Sequence, residues 1–243
     1  MIKIEKTEVV GLEPAIRGMR NPKNSWDRSD SSNGGYYIQR EIGEPCSWHR
    51  IDNPTEEDLN DDCTEFVDDD SYIIGPNDHK LMSDLAAGGP VHAKYRRMIV
   101  VYVDITAPLY WWKEFDTYKV GTVANSCSTM HKIHANILTL HDFSCEHLSQ
   151  HYIDLLDNFI MEINKAILYY RQCGDKEDWW QIIQLLPSSY NQKRTVMLNY
   201  EVLVGIYKWR RNHKLDEWRE FCKWIENLPY SELITGELNV LED

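Results

Sequence analysis

VVYVDITAPLYWWKEFDTYKVGTVANSCSTMHKI, residues 100–133, is the stretch that decides the fold of this chain. Residues 99–106 are β-branched and nearly continuously apolar, a pattern typical of a buried strand. Pro108 ends this strand, because proline has no backbone N–H to give to a sheet. The segment from Leu109 to Val120 then predicts a helix, with its apolar side chains on one stripe and Glu114 at the edge of that stripe.

The predicted helix leads into a polar segment of small residues, Asn125-Ser126-Cys127-Ser128. Its amide, hydroxyl and thiol groups can donate several hydrogen bonds without adding charge. A strand, a proline break, a helix and a polar loop in succession predict a site built on a rigid support. The alternative is a polar turn followed by the start of a helix.

Length and composition favour a folded protein with one large domain over residues 1–243. The chain is 42% hydrophobic and 27% charged, which separates it from disordered chains. Aromatic residues make up 12%, and we expect some of these rings to line a ligand pocket or a subunit interface. The net charge of -13 repels a phosphate backbone, so we expect no duplex nucleic acid as the main partner. A local Arg/Lys cluster can still bind a small anion.

The cysteines and the apolar runs predict a cytoplasmic protein. Six cysteines occur at irregular spacing and without a C-x-x-C pair, which is typical of reduced thiols. Cys46, His49 and Cys63 fit no zinc pattern, and we expect no metal site. The first ten residues contain no apolar run of signal-peptide length. No window approaches the roughly eighteen apolar residues of a membrane span, so we expect no membrane association.

The N-terminal part of the chain alternates between short elements and polar connections. Residues 2–10 alternate in polarity and predict a strand. Residues 11–30 contain two prolines and predict a loop with one helical turn, which either folds over a ligand or is a solvated connection. Residues 28–70 predict an acidic surface insertion with a small hairpin at Tyr36–Ile38. The acidic residues 230–243 predict a loose tail.

Helices dominate the rest of the chain. Asp78 is predicted as the N-cap of a helix from His79 to Ala87. The clearest periodicity predicts a long helix over residues 141–172, with Ser144 as its cap. Further helices are predicted over residues 175–187, 192–211 and 214–229.

This arrangement resembles the flavin-dependent thymidylate synthases, the ThyX family. In that family a strand ends in Ala-Pro, and a helix leads to the signature R-H-R-x-x-S-x-N-E-x-S-x-R-Y. Counted from Ala107-Pro108, the family glutamine that precedes the signature falls on Glu114, and R-H-R falls on Thr117-Tyr118-Lys119. The later signature positions fall on Thr122, Ala124-Asn125, Cys127 and Thr129-Met130.

The register of the signature can also be shifted by one residue. The shift matches Asn125 and Ser128 to the family asparagine and second serine, but it gives up Lys119. In either register the signature histidine and arginines are replaced.

A second block carries the same resemblance. The family has a Leu-Pro, a tyrosine, an asparagine that contacts flavin, and eleven residues later an arginine that holds the nucleotide. Leu186-Pro187, Tyr190, Asn199 and Arg210 fit this block without a gap. EWRE at residues 217–220 resembles the acidic-aromatic stretch that follows.

The resemblance implies an α+β, ThyX-like fold, with a central mixed or antiparallel sheet flanked by long helices. It implies FAD-dependent C5 methylation of dUMP or a related pyrimidine nucleotide, with methylenetetrahydrofolate as carbon donor and NADPH as reductant of the flavin. By the same resemblance the cofactor-binding residues are Lys119, Thr122, Asn125 and Asn199, and the substrate-binding residues are Glu114, Cys127, Ser128 and Arg210.

The family also implies a homotetramer with sites shared between subunits. Tryptophan content supports this expectation, since one subunit is not expected to bury so many rings. The tryptophans in question are Trp111, Trp112, Trp179, Trp180 and Trp209.

Glu114 in place of a glutamine changes what the site can recognise. A carboxylate accepts hydrogen bonds but donates none unless protonated, so it favours the amino groups of cytosine or guanine over a uracil edge. The alternative is that Glu114 pairs with Lys113, Lys119 or a helix end. Two functions therefore stay open: a divergent flavin-dependent nucleotide methylase, and a non-catalytic protein that sequesters or senses a nucleotide on the same scaffold.

Overall fold

A four-stranded antiparallel sheet organises one of the two units into which the chain divides. The computed structural model describes residues 2–40, 47–51 and 64–236, with side chains for residues 2–33 and 72–236. The sheet unit consists of Met1–Val10 and Val100–Asp243, and the inserted unit of Gly11–Ile99. A single domain over residues 1–243 stays a prediction.

Seven strands and nine α-helices occur in the described residues, numbered here in chain order. The strands are β1 Lys3–Val10, β2 Ser32–Arg40, β3 Ser47–Ile51, β4 Thr64–Ile73, β5 Val100–Pro108, β6 Val123–Ser126 and β7 Asn191–Asn199. The helices are α1 Leu12–Arg20, α2 Pro76–Ala87, α3 Leu109–Phe115, α4 Thr129–Lys132, α5 Gln150–Cys173, α6 Lys176–Leu185, α7 Tyr200–Arg210, α8 Asp216–Glu226 and α9 Glu232–Thr235.

The sheet unit has the strand order β1-β5-β7-β6, and every neighbouring pair is antiparallel. β5 and β7 pair along their full length, from Val100 opposite Asn199 to Pro108 opposite Asn191. Alternate residues of β5 are fully buried, as the apolar run predicts. Together with the 24-residue α5, this sheet confirms the predicted α+β class and the sheet flanked by long helices.

An aromatic core joins α3 to α8. Trp111, Trp112 and Phe115 of α3 are buried, and so are Trp218 and Phe221 of α8. The Trp111 and Trp218 ring centroids lie 4.8 Å apart, within the range where aromatic pairs attract beyond their area burial. The prediction that one subunit cannot bury its tryptophans is therefore wrong for the two in α3.

The predicted helix over residues 192–211 is wrong in its first half, which forms β7. Val196 and Leu198 are buried two positions apart, as a strand requires. Val196 also fits a helical stripe with Leu203 and Ile206, which is why the sequence pattern was ambiguous. The chain turns at Asn199, so Asn199 and Arg210 are the two ends of α7 rather than one face of a longer helix.

Two further predicted boundaries are corrected. α5 begins after Ser149, and the predicted cap Ser144 lies outside the helix, where its hydroxyl donates to Asn191 Oδ1 over 2.9 Å. The predicted loose tail includes the short helix α9, in which Leu233 and Ile234 are buried. Residues 237–243 lie outside the described residues. No helix in the described part of the chain combines the length and apolarity needed to cross a membrane.

The inserted unit holds α1, α2 and a three-stranded antiparallel sheet with the order β3-β2-β4. α1 replaces the predicted loop, because Pro14 lies in the first turn of the helix, where a missing N–H costs little. Asp78 lies inside α2 and is not its N-cap, which is Gly75. The predicted acidic insertion and hairpin fall on β2 to β4, and Cys46 and Cys63 lie outside the described residues.

Candidate functional site

Glu114 and Arg210 form an ion pair where α3 and α7 end. Arg210 Nη1 donates to Glu114 Oε2 over 2.7 Å. The two side chains are partly shielded from solvent, with 20% of Arg210 and 35% of Glu114 exposed. The partner of Glu114 is thus Arg210, rather than Lys113 or Lys119. Two of the predicted substrate-binding residues are in direct contact.

Aromatic and imidazole groups enclose this ion pair. Trp218 Nε1 donates to Glu114 Oε2 over 3.0 Å, and Arg210 Nε donates to Tyr118 Oη over 3.0 Å. The Arg210 guanidinium lies 4.7 Å from the centre of the Trp218 ring, in cation–π geometry. His213 Nε2 lies 3.6 Å from Glu114 Oε2. These five residues are called the Glu114–Arg210 cluster below.

The segment from Asp116 to Gly121 connects α3 to β6 and is fixed beside the cluster. Arg194 Nη1 donates to Asp116 Oδ1 over 2.7 Å at one end. At the other end Gly121 has a φ of 79°, and a Cβ added there would lie 2.8 Å from Asn199 Nδ2. Only glycine fits such a position without strain. The segment is therefore held at both ends, and in its middle by Tyr118.

Asn199 and Thr122 flank this glycine. Asn199 is the N-cap of α7, and its Oδ1 accepts from the Val202 N–H over 3.1 Å. Thr122 follows Gly121, and its buried Oγ1 has no hydrogen-bond partner in the described part of the chain. Buried polar groups are normally paired, so this hydroxyl is an exception among the described residues.

The other two predicted cofactor-binding residues lie on the surface. Lys119 is exposed in the connecting segment. Asn125 is exposed on β6, opposite Thr195 of β7. β6 lies at the end of the sheet, so one of its backbone edges faces away from β7.

Cys127 and Ser128 do not join the cluster. Cys127 is exposed, and its backbone carbonyl accepts from Gln192 Nε2 over 2.9 Å. Ser128 caps α4, and its hydroxyl accepts from the His131 N–H over 3.0 Å. Among the contacts of the described residues, none connects either side chain to Glu114. Their predicted role in substrate binding stays a prediction.

An acidic cleft of about 350 Å³ also lies in the sheet unit. His147 Nε2 and Asp216 Oδ2 lie 3.1 Å apart at this cleft, and Glu217 and Glu220 line it. Tyr110 Oη donates to the buried Glu217 carboxylate. Burial raises the pKa of Tyr110 well above its ordinary value, and this hydrogen bond raises it further. The carboxylates repel phosphate, so this cleft is not a nucleotide site.

Tyr118, His213 and Trp218 belong to the cluster, but none of them was predicted as a site residue. Tyr118 stood in the sequence at the position of the family histidine. Trp218 lies within EWRE, which was noted only as an acidic-aromatic stretch. Contact across 104 residues, as between Trp218 and Glu114, leaves no local signal in a single sequence.

The donors and cations of this site can be compared with those that FAD requires. Its diphosphate is anionic and requires cations or several N–H groups. Arg210 is neutralised by Glu114 and Arg194 by Asp116, which leaves Lys119 as the cation of the family's R-H-R positions. The hydroxyl of Thr122 is unpaired but buried, and one lysine does not balance a diphosphate. The described residues around this site therefore do not by themselves fit FAD.

The sheet order and the flanking helices define an α+β fold. No protein-family model matches the sequence, and no curated protein sequence matches it.

Solved structures do match the chain. The flavin-dependent thymidylate synthase ThyX from Helicobacter pylori, complexed with FAD and dUMP, has a TM-score of 0.59 at 12% identity, covering 97% of this chain and 98% of that chain. A second structure of ThyX from Helicobacter pylori with FAD and dUMP has a TM-score of 0.56 at 13% identity, covering 98% of both chains. A UMP/dUMP methylase, PolB from Streptomyces cacaoi, bound with 5-Br UMP, has a TM-score of 0.49 at 12% identity and covers 67% of this chain and 83% of that chain. The two ThyX structures confirm the predicted fold.

Proposed function

We propose that this chain is a nucleotide-binding protein on a ThyX-like fold, with a pyrimidine nucleotide held at the Glu114–Arg210 cluster. The observation that carries the proposal is the 2.7 Å contact between Arg210 Nη1 and Glu114 Oε2. It places a hydrogen-bond acceptor and a hydrogen-bond donor side by side. The fold supports the proposal, since the two ThyX structures from Helicobacter pylori hold FAD and dUMP.

The paired side chains match the edge of a pyrimidine base. A carboxylate accepts from a base N–H, and a guanidinium donates to the neighbouring carbonyl or ring nitrogen. Uracil offers N3–H beside O4, and cytosine offers its amino group beside N3. The contact with Arg210 thus restores the donor that Glu114 lacks, so the cluster suits either base. The partly exposed ring of Tyr118 adds apolar surface beside it.

The cluster favours binding without catalysis. The R-H-R positions of the ThyX signature hold Thr117-Tyr118-Lys119, and Tyr118 accepts a hydrogen bond from Arg210 rather than carrying charge. Arg210 itself is already paired. A protein that sequesters or senses a nucleotide requires the base-recognition pair but not the flavin cations.

FAD-dependent methylation is the second candidate function. In this form FAD would supply a hydride, methylenetetrahydrofolate would supply the carbon for C5 of dUMP or a related pyrimidine nucleotide, and NADPH would reduce the flavin. The buried Thr122 hydroxyl without a partner favours this candidate, with Lys119, Asn125 and Asn199 as further donors. Cys127 and Ser128 would then contact substrate. Additional cations from another subunit would have to balance the FAD phosphates.

A homotetramer is proposed as the assembly, and α5 supports it. Tyr152, Leu155 and Tyr169 of this helix are exposed by 56 to 59%, and Phe159 is partly buried among them. Tyr152, Leu155 and Phe159 follow one another at three or four positions, and Tyr169 lies ten positions after Phe159, close to three turns, so the four form one stripe along the helix. An apolar stripe of this length on one face is typical of a surface that packs against another copy. A cytoplasmic location stays a prediction.

Nucleotide titration followed by thermal unfolding tests the proposed function. dUMP and dCMP are expected to raise the melting temperature of the wild-type protein. Arg210→Ala is expected to abolish the shift, whereas Lys176→Ala, at an exposed position on α6, is expected to preserve it. The absence of any shift with either nucleotide would contradict nucleotide binding.

The absorbance of the purified protein separates the two candidates. A flavin band near roughly 450 nm supports the methylase. A colourless protein that is stabilised by a nucleotide supports the non-catalytic form.

A further inference from the structure

The inserted unit contains a basic cleft that the proposed function does not use. The cleft measures about 720 Å³ and lies between the end of α1, the segment after it and the first turns of α2. Three cationic residues line it, together with amide side chains and one carboxylate. These residues are Arg20, Lys23, Arg28, Asn24, Asn77 and Asp27.

A buried ion pair shapes one wall of this cleft. Arg20 Nε donates to Asp78 Oδ1 over 2.5 Å, and the two side chains are only 4% and 0% exposed. The other guanidinium nitrogens of Arg20 donate to the carbonyls of Ser25 and Arg28 over 3.1 and 3.0 Å. The segment that follows α1 is therefore wrapped around a fixed guanidinium, and its position does not depend on a ligand.

Asp78 ties the far end of the same segment to α2. Its Oδ2 accepts from the hydroxyls of Ser29 and Ser31, each over 2.7 Å. Asp30 in turn accepts from the N–H groups of Asn77 and Asp78 at the start of α2. The cleft is thus bounded by a pre-organised loop on one side and a helix on the other.

The side chains of Lys23 and Arg28 carry positive charges that the Arg20–Asp78 network does not neutralise. Both side chains are exposed, and no ion pair involving either occurs in the described part of the chain. Asp27 is the single carboxylate among the residues that line the cleft, and Arg20 is already balanced by Asp78. A net positive cleft on a chain with a formal charge of -13 concentrates anions locally.

A second groove extends the basic surface. It measures about 440 Å³ and shares Lys23 and Leu81 with the first cleft. Lys94 and His92 also line it. Lys23 therefore lies between two adjoining depressions, each of which presents at least one further nitrogen group to a bound anion.

We propose that this basic cleft binds the phosphate of a small phosphorylated molecule, with Lys23 and Arg28 as the charged ligands. The guanidinium of Arg28 has the planar fork that fits two phosphate oxygens, and Lys23 adds a point charge. Asn24 and Asn77 contribute amide donors from opposite walls. The phosphate group belongs to inorganic phosphate, to pyrophosphate or to a nucleotide. All three offer the same anionic oxygens to these side chains. The proposal is independent of nucleotide binding at the Glu114–Arg210 cluster.

The indole N–H of Trp26 can report binding at this cleft in an NMR spectrum. Its side chain is 51% exposed, and its indole N–H donates to Asn21 Oδ1 over 2.8 Å. Ser25 and Asp27, on either side of it in the chain, line the cleft. An anion that engages the segment changes the environment of this indole, which is visible as a shift of its ¹H–¹⁵N resonance.

The test is a calorimetric and NMR titration of the full-length protein with inorganic pyrophosphate, inorganic phosphate and dUMP. Pyrophosphate is expected to bind and to shift the Trp26 indole resonance, assigned with Trp26→Phe. Lys23→Ala combined with Arg28→Ala is expected to weaken binding at least about tenfold, since two charge-assisted contacts are lost. Binding is expected to weaken with added salt.

Arg17→Ala is the matched control, because Arg17 lies on α1 but pairs with Glu13 and does not line the cleft. It is expected to leave pyrophosphate binding unchanged. Equal loss in the control and the double variant, or no pyrophosphate binding at millimolar concentration, would overturn the proposal. So would pyrophosphate binding that is lost in Arg210→Ala and retained in the double variant. If dUMP shifts Trp26 and this shift survives in Arg210→Ala, the cleft accepts the phosphate of a nucleotide.

Discussion

At the scale of single residues, the main result is that Glu114 has a partner. The sequence predicted Glu114 and Arg210 as substrate-binding residues, but not as a pair. They lie 96 positions apart, and no periodicity reports such a contact. The sequence predicted Lys119 in a helix and Asn125 and Cys127 in a polar loop, but the helix ends at Phe115 and Asn125 lies on β6. Whether these residues converge depends on tertiary packing. The orphaned Thr122 hydroxyl is likewise visible only in three dimensions.

Replacing Glu114 tests the role of this carboxylate. Glu114→Gln retains the shape but removes the charge that receives Arg210 and Trp218. We expect a loss of about 1 kcal/mol in unfolding free energy, because the pair is partly exposed. An amide in place of the charged acceptor for the base N–H is also expected to weaken dUMP binding. Urea unfolding and a dUMP titration measure the two effects.

The control for this change is Glu162→Gln. Glu162 pairs with Lys165 on the surface of α5, where both side chains are more than 60% exposed. Its replacement is expected to change stability by less than about 0.5 kcal/mol. If both variants are equally stable, the Glu114–Arg210 contact is not a stabilising pair.

Arg96 presents the opposite case, a buried cation with an unsatisfied donor. The residue is 8% exposed, and its buried Nε has no hydrogen-bond partner in the described part of the chain. Desolvating an incompletely paired charge is unfavourable. Arg96→Met is therefore expected to raise the melting temperature, by an amount equivalent to about 1 kcal/mol or more. A lower melting temperature in calorimetry would show that Arg96 has a compensating partner or ligand.

At the scale of elements, the sequence predicted β1, β5 and most of the helices, but it missed β6 and misjudged other elements whose limits depend on long-range pairing. β5 was predicted because a continuous β-branched run is typical of a buried strand. β7 was taken for part of a helix, since its apolar residues fit both periods. The prolines of residues 11–30 predict a loop with one helical turn where α1 forms, although proline is tolerated in the first turn of a helix, where Pro14 lies. α6 and α8, each with clear periodicity and a defined start, were predicted correctly.

The link between α1 and α2 gives a prediction with a defined pH dependence. Burial alone would raise the pKa of Asp78, but hydrogen bonds from Ser29, Ser31 and Arg20 lower it below its ordinary value. The stability that Asp78 contributes is therefore present above its unfolded pKa of about 3.9, and it is lost as the pH falls through the lower folded value. Asp78→Asn is expected to cost about 3 kcal/mol at neutral pH, since it leaves Arg20 buried without its counter-ion.

Hydrogen exchange of the α2 amides measures this effect locally. Wild-type protection is expected to fall as the pH drops below about 4, and Asp78→Asn is expected to lack that component. Asp84→Asn is the control on the same helix, because Asp84 forms an exposed pair with Lys80. Similar loss of protection in both variants would mean that the buried pair does not hold α1 and α2 together.

At the scale of the whole molecule, the ThyX resemblance supplied the fold, and composition alone did not. Two gapless blocks around Pro108 and Pro187 were enough to predict the fold class, an α+β fold with a central sheet flanked by helices. The division into a sheet unit and an inserted unit was not predicted, because residues 28–70 were interpreted only as an acidic insertion. Tryptophan content is weak support for a homotetramer, because Trp111 and Trp112 are buried in the core of one subunit.

The stripe on α5 leads to a prediction about assembly. Leu155 is 59% exposed in the middle of the stripe. Leu155→Lys places a charge there and is expected to shift the protein towards monomers, because an unpaired charge in an apolar interface is costly. Gln172→Lys, on the same helix but off the stripe, is expected to leave the assembly unchanged. Size-exclusion chromatography with light scattering distinguishes the two, and a wild-type monomer would contradict the proposed tetramer.

The most direct measurement of nucleotide binding at the cluster follows the indole N–H of Trp218, which donates to Glu114. In a ¹H–¹⁵N spectrum assigned with Trp218→Phe, addition of dUMP or dCMP is predicted to shift the Trp218 resonance in the wild-type protein. The shift is predicted to be lost in Arg210→Ala. A Trp218 resonance that stays unchanged at saturating nucleotide would contradict the central claim that the Glu114–Arg210 cluster holds a nucleotide.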